Sequence, residues 1–410
     1  MFKPLEEIPA AELQERWQRC RELLQKLVPR AGGLLAFTRP SIYWLSGHLG
    51  NGALWLPLEG EPVLLVRKGM ERARLEAPLE RILSFKSYKE LPRVLAEAGS
   101  PLSSRIAMEM SGVSWLTGQS LAKSLVDQIF LSADQVLQQA RAVKSQWELA
   151  KMRLAGERHA RVLRERLPRE IVPGMSEWEI GVRLFRLLFE EGHHGMIRMS
   201  GPGEEMLVGA VSAGDSGNYP IALNSPVGHR GAHPAVPFLG YSGQVWRRNG
   251  VLLVDAVFEL EGYHTDKTQI YWAGEAREMP DSVRSAQGFC SDLLAQMAQE
   301  LRPGRIPQEL YREAVQRAER EGFAEGFQGL GANKVPFLGH GIGLYVDEWP
   351  AVAEKFEEPL QEGMVLALEP KIGIEGVGMV GAENTFVVTR EGGESITGRD
   401  TDIIPVSGQA

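Results

Sequence analysis

Five residues of types that commonly hold divalent metal ions are spread through the second half of the chain. Asp255 and Asp266 lie eleven residues apart in VLLVDAVFELEGYHTDKTQIYW, and His340, Glu369 and Glu383 follow in strand-like or glycine-rich settings. Carboxylate oxygens are hard ligands that suit manganese, cobalt or zinc, they can bridge two ions, and imidazole commonly completes such sites. The five residue types therefore predict a site for two divalent metal ions.

The two aspartates belong to a predicted β-hairpin. The segments VLLVDAVF and HTDKTQIYW are rich in β-branched and aromatic residues, and the turn-like ELEG separates them. A hairpin centred between Leu260 and Glu261 would place Asp255 directly opposite Asp266, with both side chains on one face of the sheet. A cation between the two carboxylates would relieve their repulsion. The alternative is a solvated hairpin that carries two ordinary surface aspartates.

A second hairpin is predicted in GMVLALEPKIGIEGVGMVGAENTFVVT, with a glycine-rich turn between Gly373 and Gly378. Glu369 and Glu383 then fall on facing strands, each at the margin of an apolar run. Buried carboxylates without partners are costly, so a metal ion or a cationic side chain is expected beside them. The alternative to a metal is a pair of strand-end glutamates matched by lysines such as Lys371.

His340 lies in the glycine-rich segment FLGHGIGLYVDEWP. Glycines on both sides allow the backbone to bend closely around a compact centre. Imidazole complements carboxylates at catalytic metal sites, although a lone histidine in such a loop can also be purely structural. The order Asp, Asp, His, Glu, Glu is far more specific than any one of its members.

This order and its local contexts resemble the metal ligands of the pita-bread metallopeptidases, which include Xaa-Pro aminopeptidases, prolidases and creatinase. Further matches are AVKSQWELAKMRLA, IVPGMSEWEI, GYHTD, GHGIGL and GMVLALEP, with weaker ones in IYWLSG and EPVLLVRKGMERAR. The resemblance implies an α+β pita-bread catalytic domain over residues 136–410, preceded by a creatinase-like α/β amino-terminal domain over residues 1–135.

The resemblance also implies a role for each of the five residues. Asp255 would bind one ion, Asp266 and Glu383 would bridge both, and His340 with Glu369 would complete the other. A water activated by the two ions, with manganese favoured over cobalt or zinc, would attack an amide carbonyl, and Glu369 would act as general base. The expected enzyme is a homodimeric hydrolase resembling Xaa-Pro aminopeptidase or dipeptidase, with a peptide or small amide as substrate.

Four positions depart from the family pattern, and they involve groups that would face the substrate. Two histidines and two arginines are replaced by Phe238, Asp347, Gln269 and Gly381. A missing histidine matters because such a side chain stabilises charge that develops on the amide oxygen. His233 and Asp347 are the candidate substrate-binding residues, although alignment of His233, or of nearby His229, with the family position requires an insertion.

These departures leave several interpretations open. Asp347 could be neutral and replace a histidine, could receive a cationic group of the substrate, or could pair with an arginine as structural support. An altered substrate range is predicted, with proline-containing peptides as poor substrates. The alternative function is a non-peptidase hydrolase of the same fold that acts on a small carbon–nitrogen compound, as creatinase and ectoine hydrolase do. A catalytically silent binding protein is a third hypothesis, which the intact ligand set disfavours.

Composition narrows the class of protein and its partners. The formal net charge of −8 argues against a general nucleic-acid binder. Cys20 and Cys290 are too few for a disulfide framework and fit a reducing compartment. No apolar run approaches a membrane span, and the first residues lack a signal-peptide core. A soluble cytoplasmic protein without membrane or nucleic-acid partners is therefore predicted.

The local patterns predict how the elements are arranged. An amphipathic helix is expected near residues 10–27, followed by strands in GGLLAF, NGALWLPL, EPVLLV and RIAMEM. One long helix, ADQVLQQARAVKSQWELAKM, is expected to carry the chain between domains. A capping box at Ser176 predicts the start of another helix. His193, just after that helix, is predicted to have a capping or surface role rather than to bind a metal.

Overall fold

The computed structural model describes residues 3–201, 203–221 and 223–407. The chain divides into two compact units, Met1–Arg141 and Ala142–Ala410. No helix among the described residues combines the length and the apolar character needed to cross a membrane.

Six strands form one mixed sheet in the described part of the first unit. They are β1 (Gly33–Ala36), β2 (Asn51–Pro57), β3 (Val63–Lys68), β4 (Ile82–Ser84), β5 (Arg105–Met108) and β6 (Ile129–Ser132), in the order β4-β3-β2-β1-β5-β6. Strand β2 runs antiparallel to β1 and β3, and the other neighbours are parallel. The helices are α1 (Ala10–Leu27), α2 (Arg39–Ser46), α3 (Met70–Glu76), α4 (Leu91–Glu97), α5 (Trp115–Ser124) and α6 (Asp134–Ala142).

The predicted strands and helix of this unit are found where the sequence places them. All four residues of β1 are buried, as are the first four of β3, because central strands covered on both faces read as continuous apolar runs. Helix α1 coincides with the predicted helix at both ends. The mixed α/β unit confirms the fold expected for the amino-terminal domain.

The second unit contains the five candidate ligands. Its described strands are β7 (Gly209–Ala213), β8 (Val251–Leu260), β9 (Tyr263–Ala273), β10 (Phe337–Gly341), β11 (Glu348–Ala353), β12 (Val365–Leu368), β13 (Lys371–Ile374), β14 (Gly378–Gly381), β15 (Asn384–Thr389), β16 (Gly392–Ser395) and β17 (Ile404–Val406). They form sheets in the orders β17-β9-β8-β7, β11-β10-β12-β15-β16 and β13-β14. The helices are α7 (Gln146–Arg161), α8 (Glu177–Glu190), α9 (Asp281–Glu300) and α10 (Pro307–Arg320).

Alternation along the strands determines which side chains can meet between the sheets. In β8, Leu252 and Val254 belong to the apolar cluster that includes α7 and α8. Successive residues of a strand point to opposite faces, so Asp255 lies on the other face. In β12, Leu366 and Leu368 pack in the cluster that includes α9 and α10. The residues that alternate with these two leucines therefore lie on the opposite face of the strand.

The predicted long helix between the domains is wrong as a single element. Helix α6 ends at Ala142 and α7 begins at Gln146. Ser145 interrupts the helix because its hydroxyl accepts from the Glu148 backbone N–H, while the Glu148 carboxylate accepts from the Ser145 backbone N–H. This is a capping box of the same kind as the one correctly predicted at Ser176.

The expected capping role of His193 is confirmed, because its backbone N–H donates to the Leu188 carbonyl at 3.0 Å at the end of α8, but the expected surface position is wrong. Its side chain is buried, because the turn after α8 directs the ring against Phe189 and Phe258. The Nδ1 atom accepts from the Glu259 backbone N–H at 2.9 Å, which fixes a neutral imidazole. Burial lowers the pKa of His193 to about 4.

We expect His193 to make the fold sensitive to acid. The pKa of His193 is about 6.5 in the unfolded chain and about 4 in the folded protein. The stabilisation that is present above pH 6.5 is therefore lost as the pH falls from 6.5 to about 4. His193→Gln, which keeps an acceptor without titrating, should flatten the decline in the free energy of unfolding over that range. Urea unfolding from neutral pH to about pH 4 measures it. The exposed His194→Gln is the control, and an equally steep decline in both variants would contradict the assignment.

Candidate metal centre

Asp255 and Asp266 lie on the β8–β9 hairpin, but not in the predicted register. Asp255 pairs with Thr268, and Asp266 pairs with Val257. The predicted direct pairing of the two aspartates is therefore wrong, because the centre of the turn lies one residue later than predicted. The reason is a two-residue turn at Glu261 and Gly262, whose φ values of 52° and 90° match the positive φ that tight hairpins require. Because pairing shifts by two residues, both aspartates still point to the same face.

Glu369 and Glu383 lie where the second hairpin is interrupted. Leu368 pairs with Asn384 in β12 and β15, and Lys371 pairs with Gly381 in β13 and β14. Both ladders share one register, which places Glu369 level with Glu383 in the gap between them. The two glutamates thus face one another across the hairpin, next to the buried ends of β12 and β15.

The five predicted ligands converge from these separate strands. Within the part of the chain that the structure describes, ligand atoms of Asp266, His340 and Glu383 lie within 4.8 Å of one another, as do those of Asp255, Glu369 and Glu383. Glu383 belongs to both groups, whereas Asp266, which was also expected to bridge, belongs to one, and Glu369 lies in the group with Asp255. His340 is presented by β10, and its Nε2 lies 3.7 Å from Glu369 Oε1.

Lys371 lies inside one of these two groups. Its ammonium Nζ donates to Glu369 Oε2 at 2.6 Å, Glu383 Oε2 at 2.9 Å and Asp255 Oδ2 at 3.1 Å. The lysine side chain is fully buried. In the sequence pattern, Lys371 appears only as an alternative to a metal ion. A usable signal was present, because Lys371 is two residues after Glu369 and so lies on the same face of the hairpin.

The local pKa values follow from burial and from these charges. Burial and the neighbouring Asp255 raise the pKa of Asp266 well above its usual range, and burial with Asp255 and Asp266 does the same to Glu383. Burial alone would lower the pKa of the Lys371 ammonium. The carboxylates of Asp255, Glu369 and Glu383 outweigh that effect and raise its pKa well above the usual value. Positive charge is therefore strongly favoured at this position.

The two groups differ in how well they suit a metal ion. Asp266 Oδ1 is buried and has no hydrogen-bond partner among the described residues, as expected for a ligand that awaits a cation. Together with His340 and Glu383 it offers two carboxylates and one imidazole, a donor set that suits a divalent transition metal. The other group already surrounds the Lys371 ammonium. The residues therefore fit one ion, and the expected two-ion arrangement does not fit around Lys371.

Neighbouring side chains hold the ligands in place. Thr268 donates to Glu383 Oε2 at 2.7 Å, and the Thr385 hydroxyl bonds both the backbone N–H and the carbonyl of Asp266. His264, in the GYHTD segment, contacts the Gly343 carbonyl through Nδ1 and anchors the glycine-rich segment that follows His340. Such supporting contacts orient metal ligands. The GYHTD match alone does not predict this role for His264.

The two candidate substrate-binding residues lie in different surroundings from the ligands. Asp347 accepts from the Ser200 backbone N–H at 2.7 Å and from the Ser200 hydroxyl at 2.8 Å, so both of its oxygens have structural partners. His233 is exposed in a tight turn and accepts from the Ala235 backbone N–H. His229 is buried, and its ring nitrogens contact the backbone carbonyls of Val227 and Pro237.

The replaced arginine positions have structural explanations. Gln269 accepts from Arg164 at 2.9 Å and donates to the Asp402 carbonyl at 2.9 Å, so its amide is held within the fold. A Cβ atom at Gly381 would lie 2.6 Å from Lys371 Cγ. Gly381 therefore leaves the space through which the lysine stem reaches the carboxylates.

Sequence profiles identify the family of the chain. The family model described as Metallopeptidase family M24 matches residues 150–390, and the one described as Creatinase/Prolidase N-terminal domain matches residues 16–143. The chain therefore belongs to metallopeptidase family M24. Its fold is a creatinase-like amino-terminal domain followed by a pita-bread catalytic domain, which confirms the predicted fold, and the enzyme class is peptidase.

Individual relatives agree with this assignment over nearly the full chain. The chain is 29% identical over 369 residues to a Mycobacterium tuberculosis protein named probable dipeptidase PepE, which covers 87% of this chain and 86% of that protein. It is 24% identical over 375 residues to an Xaa-Pro dipeptidase of Pyrococcus horikoshii, covering 90% and 94%. The solved dipeptidase PepE from Mycobacterium ulcerans has the same fold, with a TM-score of 0.77 at 23% identity, covering 98% of this chain and 100% of that one.

Proposed function

We propose that the protein is a metal-dependent peptidase that hydrolyses an amide bond in dipeptides or short peptides, in the manner of the Xaa-Pro dipeptidases and aminopeptidases. The observation that carries this proposal is the convergence of ligand atoms from Asp266, His340 and Glu383, beside an Asp266 oxygen that is buried and has no hydrogen-bond partner in the described part of the chain. A divalent ion held there would supply a Lewis acid, which polarises a carbonyl and makes water a better nucleophile near neutral pH.

Glu369 is the proposed general base. Lys371 holds Glu369 Oε2, and Glu369 Oε1 lies 3.7 Å from His340 Nε2 at the edge of the other ligand group. The oxygen on the metal side is thus placed to accept a proton. The Lys371 ammonium fixes the orientation of the carboxylate and balances its charge. We include manganese as the preferred ion, a homodimer and a cytoplasmic location in this proposal; the buried free thiols of Cys20 and Cys290 support a reducing compartment.

Metal removal and a ligand variant test the proposal together. The purified full chain is stripped with a chelator, reloaded with manganese, and assayed on Xaa-Pro dipeptides, other dipeptides and longer peptides by mass spectrometry. We expect hydrolysis only after reloading, and a loss of about 100-fold or more in kcat/KM for His340→Ala. The exposed His194→Ala, which removes the same ring, is the control. Equal activity in stripped and loaded enzyme would refute metal dependence.

A different substrate class remains the second candidate. The chain supplies no arginine at residues 269 and 381, and Asp347 is engaged by Ser200, so groups expected to face a peptide substrate have structural roles or are absent from those positions. This favours an altered substrate range, including small carbon–nitrogen compounds. Rapid turnover of Xaa-Pro dipeptides would reject it, whereas turnover of small cyclic or linear amides alone would support it.

A further inference from the structure

The Lys371 ammonium occupies the position that Asp255, Glu369 and Glu383 offer to a cation. Three acceptor oxygens surround Nζ at 2.6 to 3.1 Å. We infer that this ammonium replaces one of the two ions that the ligand set could otherwise bind, so the centre takes a single divalent ion, at Asp266, His340 and Glu383. The inference rests on the proposed metal-dependent function and goes beyond it by fixing the number of ions and the identity of the second cation.

An ion and the ammonium would compete for the same oxygens. Transition-metal ions bind carboxylate oxygens at about 2.0 to 2.2 Å, and two ions in a catalytic pair are roughly 3.5 to 4 Å apart. An ion bound to the oxygens that accept from Lys371 would therefore collide with Nζ or lie beside it as an unscreened like charge. The group cannot hold both cations at once.

The lysine is held in this position by its backbone. The Lys371 backbone N–H donates to Gln328 Oε1 at 2.8 Å, and the Lys371 carbonyl accepts from the Gln328 backbone N–H at 2.9 Å. Its strand partner Gly381 is held in the same way by Gln287, whose amide bonds both the N–H and the carbonyl of Gly381. The lysine stem passes over the glycine, where any Cβ would be 2.6 Å from Lys371 Cγ. Both strands are fixed, and the buried side chain points to the acids.

The charges of the centre accommodate a single ion beside Lys371. Four carboxylates meet here, and Lys371 with one divalent ion would neutralise all but one of their charges. A second divalent ion would have to share the oxygens that the ammonium already occupies, where repulsion between the two cations is costly. Asp266 Oδ1, which has no hydrogen-bond partner among the described residues, belongs to the group that Lys371 does not fill.

Metal stoichiometry tests the inference without an activity assay. The full chain is stripped, saturated with manganese, freed of excess metal and analysed by elemental mass spectrometry, with electron paramagnetic resonance as a second readout. We expect one manganese per chain and the spectrum of an isolated ion. Lys371→Ala should bind two ions per chain and show a spin-coupled pair. Lys267→Met, which removes a buried lysine that bonds Asn384 instead of the acids, should still bind one.

The possible outcomes distinguish a failure of the inference from a failure of the proposed function. Two coupled ions in the wild-type protein would overturn the inference and leave metal-dependent hydrolysis standing. One ion in both the wild-type protein and a folded Lys371→Ala variant would show that Lys371 is not what excludes the second, and would also overturn it. No bound ion, with manganese, cobalt or zinc, would instead refute the proposed function. The number of ions bound by the wild-type protein can contradict the inference by itself, so the test does not depend on the folding of the variant.

Discussion

Replacing Lys371 with methionine is expected to destabilise the metal-free protein by about 3 to 5 kcal/mol. The substitution keeps the length of the stem but leaves the buried carboxylates of Asp255, Glu369 and Glu383 without their shared donor. When one partner is removed from a buried ionic cluster, the remaining charges stay buried without compensation, which is strongly destabilising. Urea unfolding of the chelator-treated variant and the wild-type protein at neutral pH measures the loss.

Two further results should accompany that loss. Added manganese should restore much of the stability of Lys371→Met, because an ion that binds the folded state alone stabilises it by mass action. The difference from wild type should narrow at low pH, where protonated acids need no cation. The control is Lys267→Met, since burial lowers the pKa of Lys267 to about 7 and its charged form contributes little. A similar loss in both variants would indicate a packing effect rather than an electrostatic one.

Asp266→Asn is expected to separate stability from function. Burial and nearby negative charge raise the pKa of Asp266, so its ionised form opposes folding at neutral pH. The isosteric neutral side chain should therefore stabilise the metal-free protein. The same change should lower manganese affinity by about 100-fold or more and remove activity with it, because a neutral amide is a much weaker ligand.

Calorimetric titration with manganese and urea unfolding of the stripped protein measure the two effects of Asp266→Asn independently. Asp292→Asn makes the same chemical change on the exposed side of α9 and serves as the control. A variant that binds manganese as tightly as the wild-type protein would remove Asp266 from the ligand set. A variant that is less stable without metal would show that its carboxylate has a structural partner.

The sequence was most informative where side-chain chemistry and strand alternation act together. The five ligand candidates could be named from type, order and context, and strand alternation alone puts Asp255 and Asp266 on a common face. Their register could not be fixed, because a hairpin centre depends on which residues adopt positive φ. Here Glu261 and Gly262 form the turn, so the centre of the hairpin lies one residue later than predicted. The break before α7 could have been predicted from Ser145 and Glu148, which form a capping box. The helical pattern on both sides of the break suggested a single helix instead.

Local pattern places Lys371 on the same face as Glu369, but it does not show that the ammonium reaches the acids. A lysine in a strand can direct its long side chain to solvent or to an acid, and the choice depends on tertiary contacts. Asp255 approaches from 116 residues away in the chain, and the space for the lysine stem exists only because its strand partner is Gly381. From the sequence, a lysine and a metal ion are alternative partners for the glutamates, whereas the folded chain provides room for both kinds of cation.

The interrupted ladder at Glu369 and Glu383 has a consequence for how an inhibitor could be designed. If the centre holds the single ion inferred above, a ligand that chelates a pair of ions would find one anchoring point and, beside it, a buried ammonium already paired with three carboxylates. A second metal-binding group on such a compound should therefore add no affinity for this protein and should add affinity for Lys371→Ala.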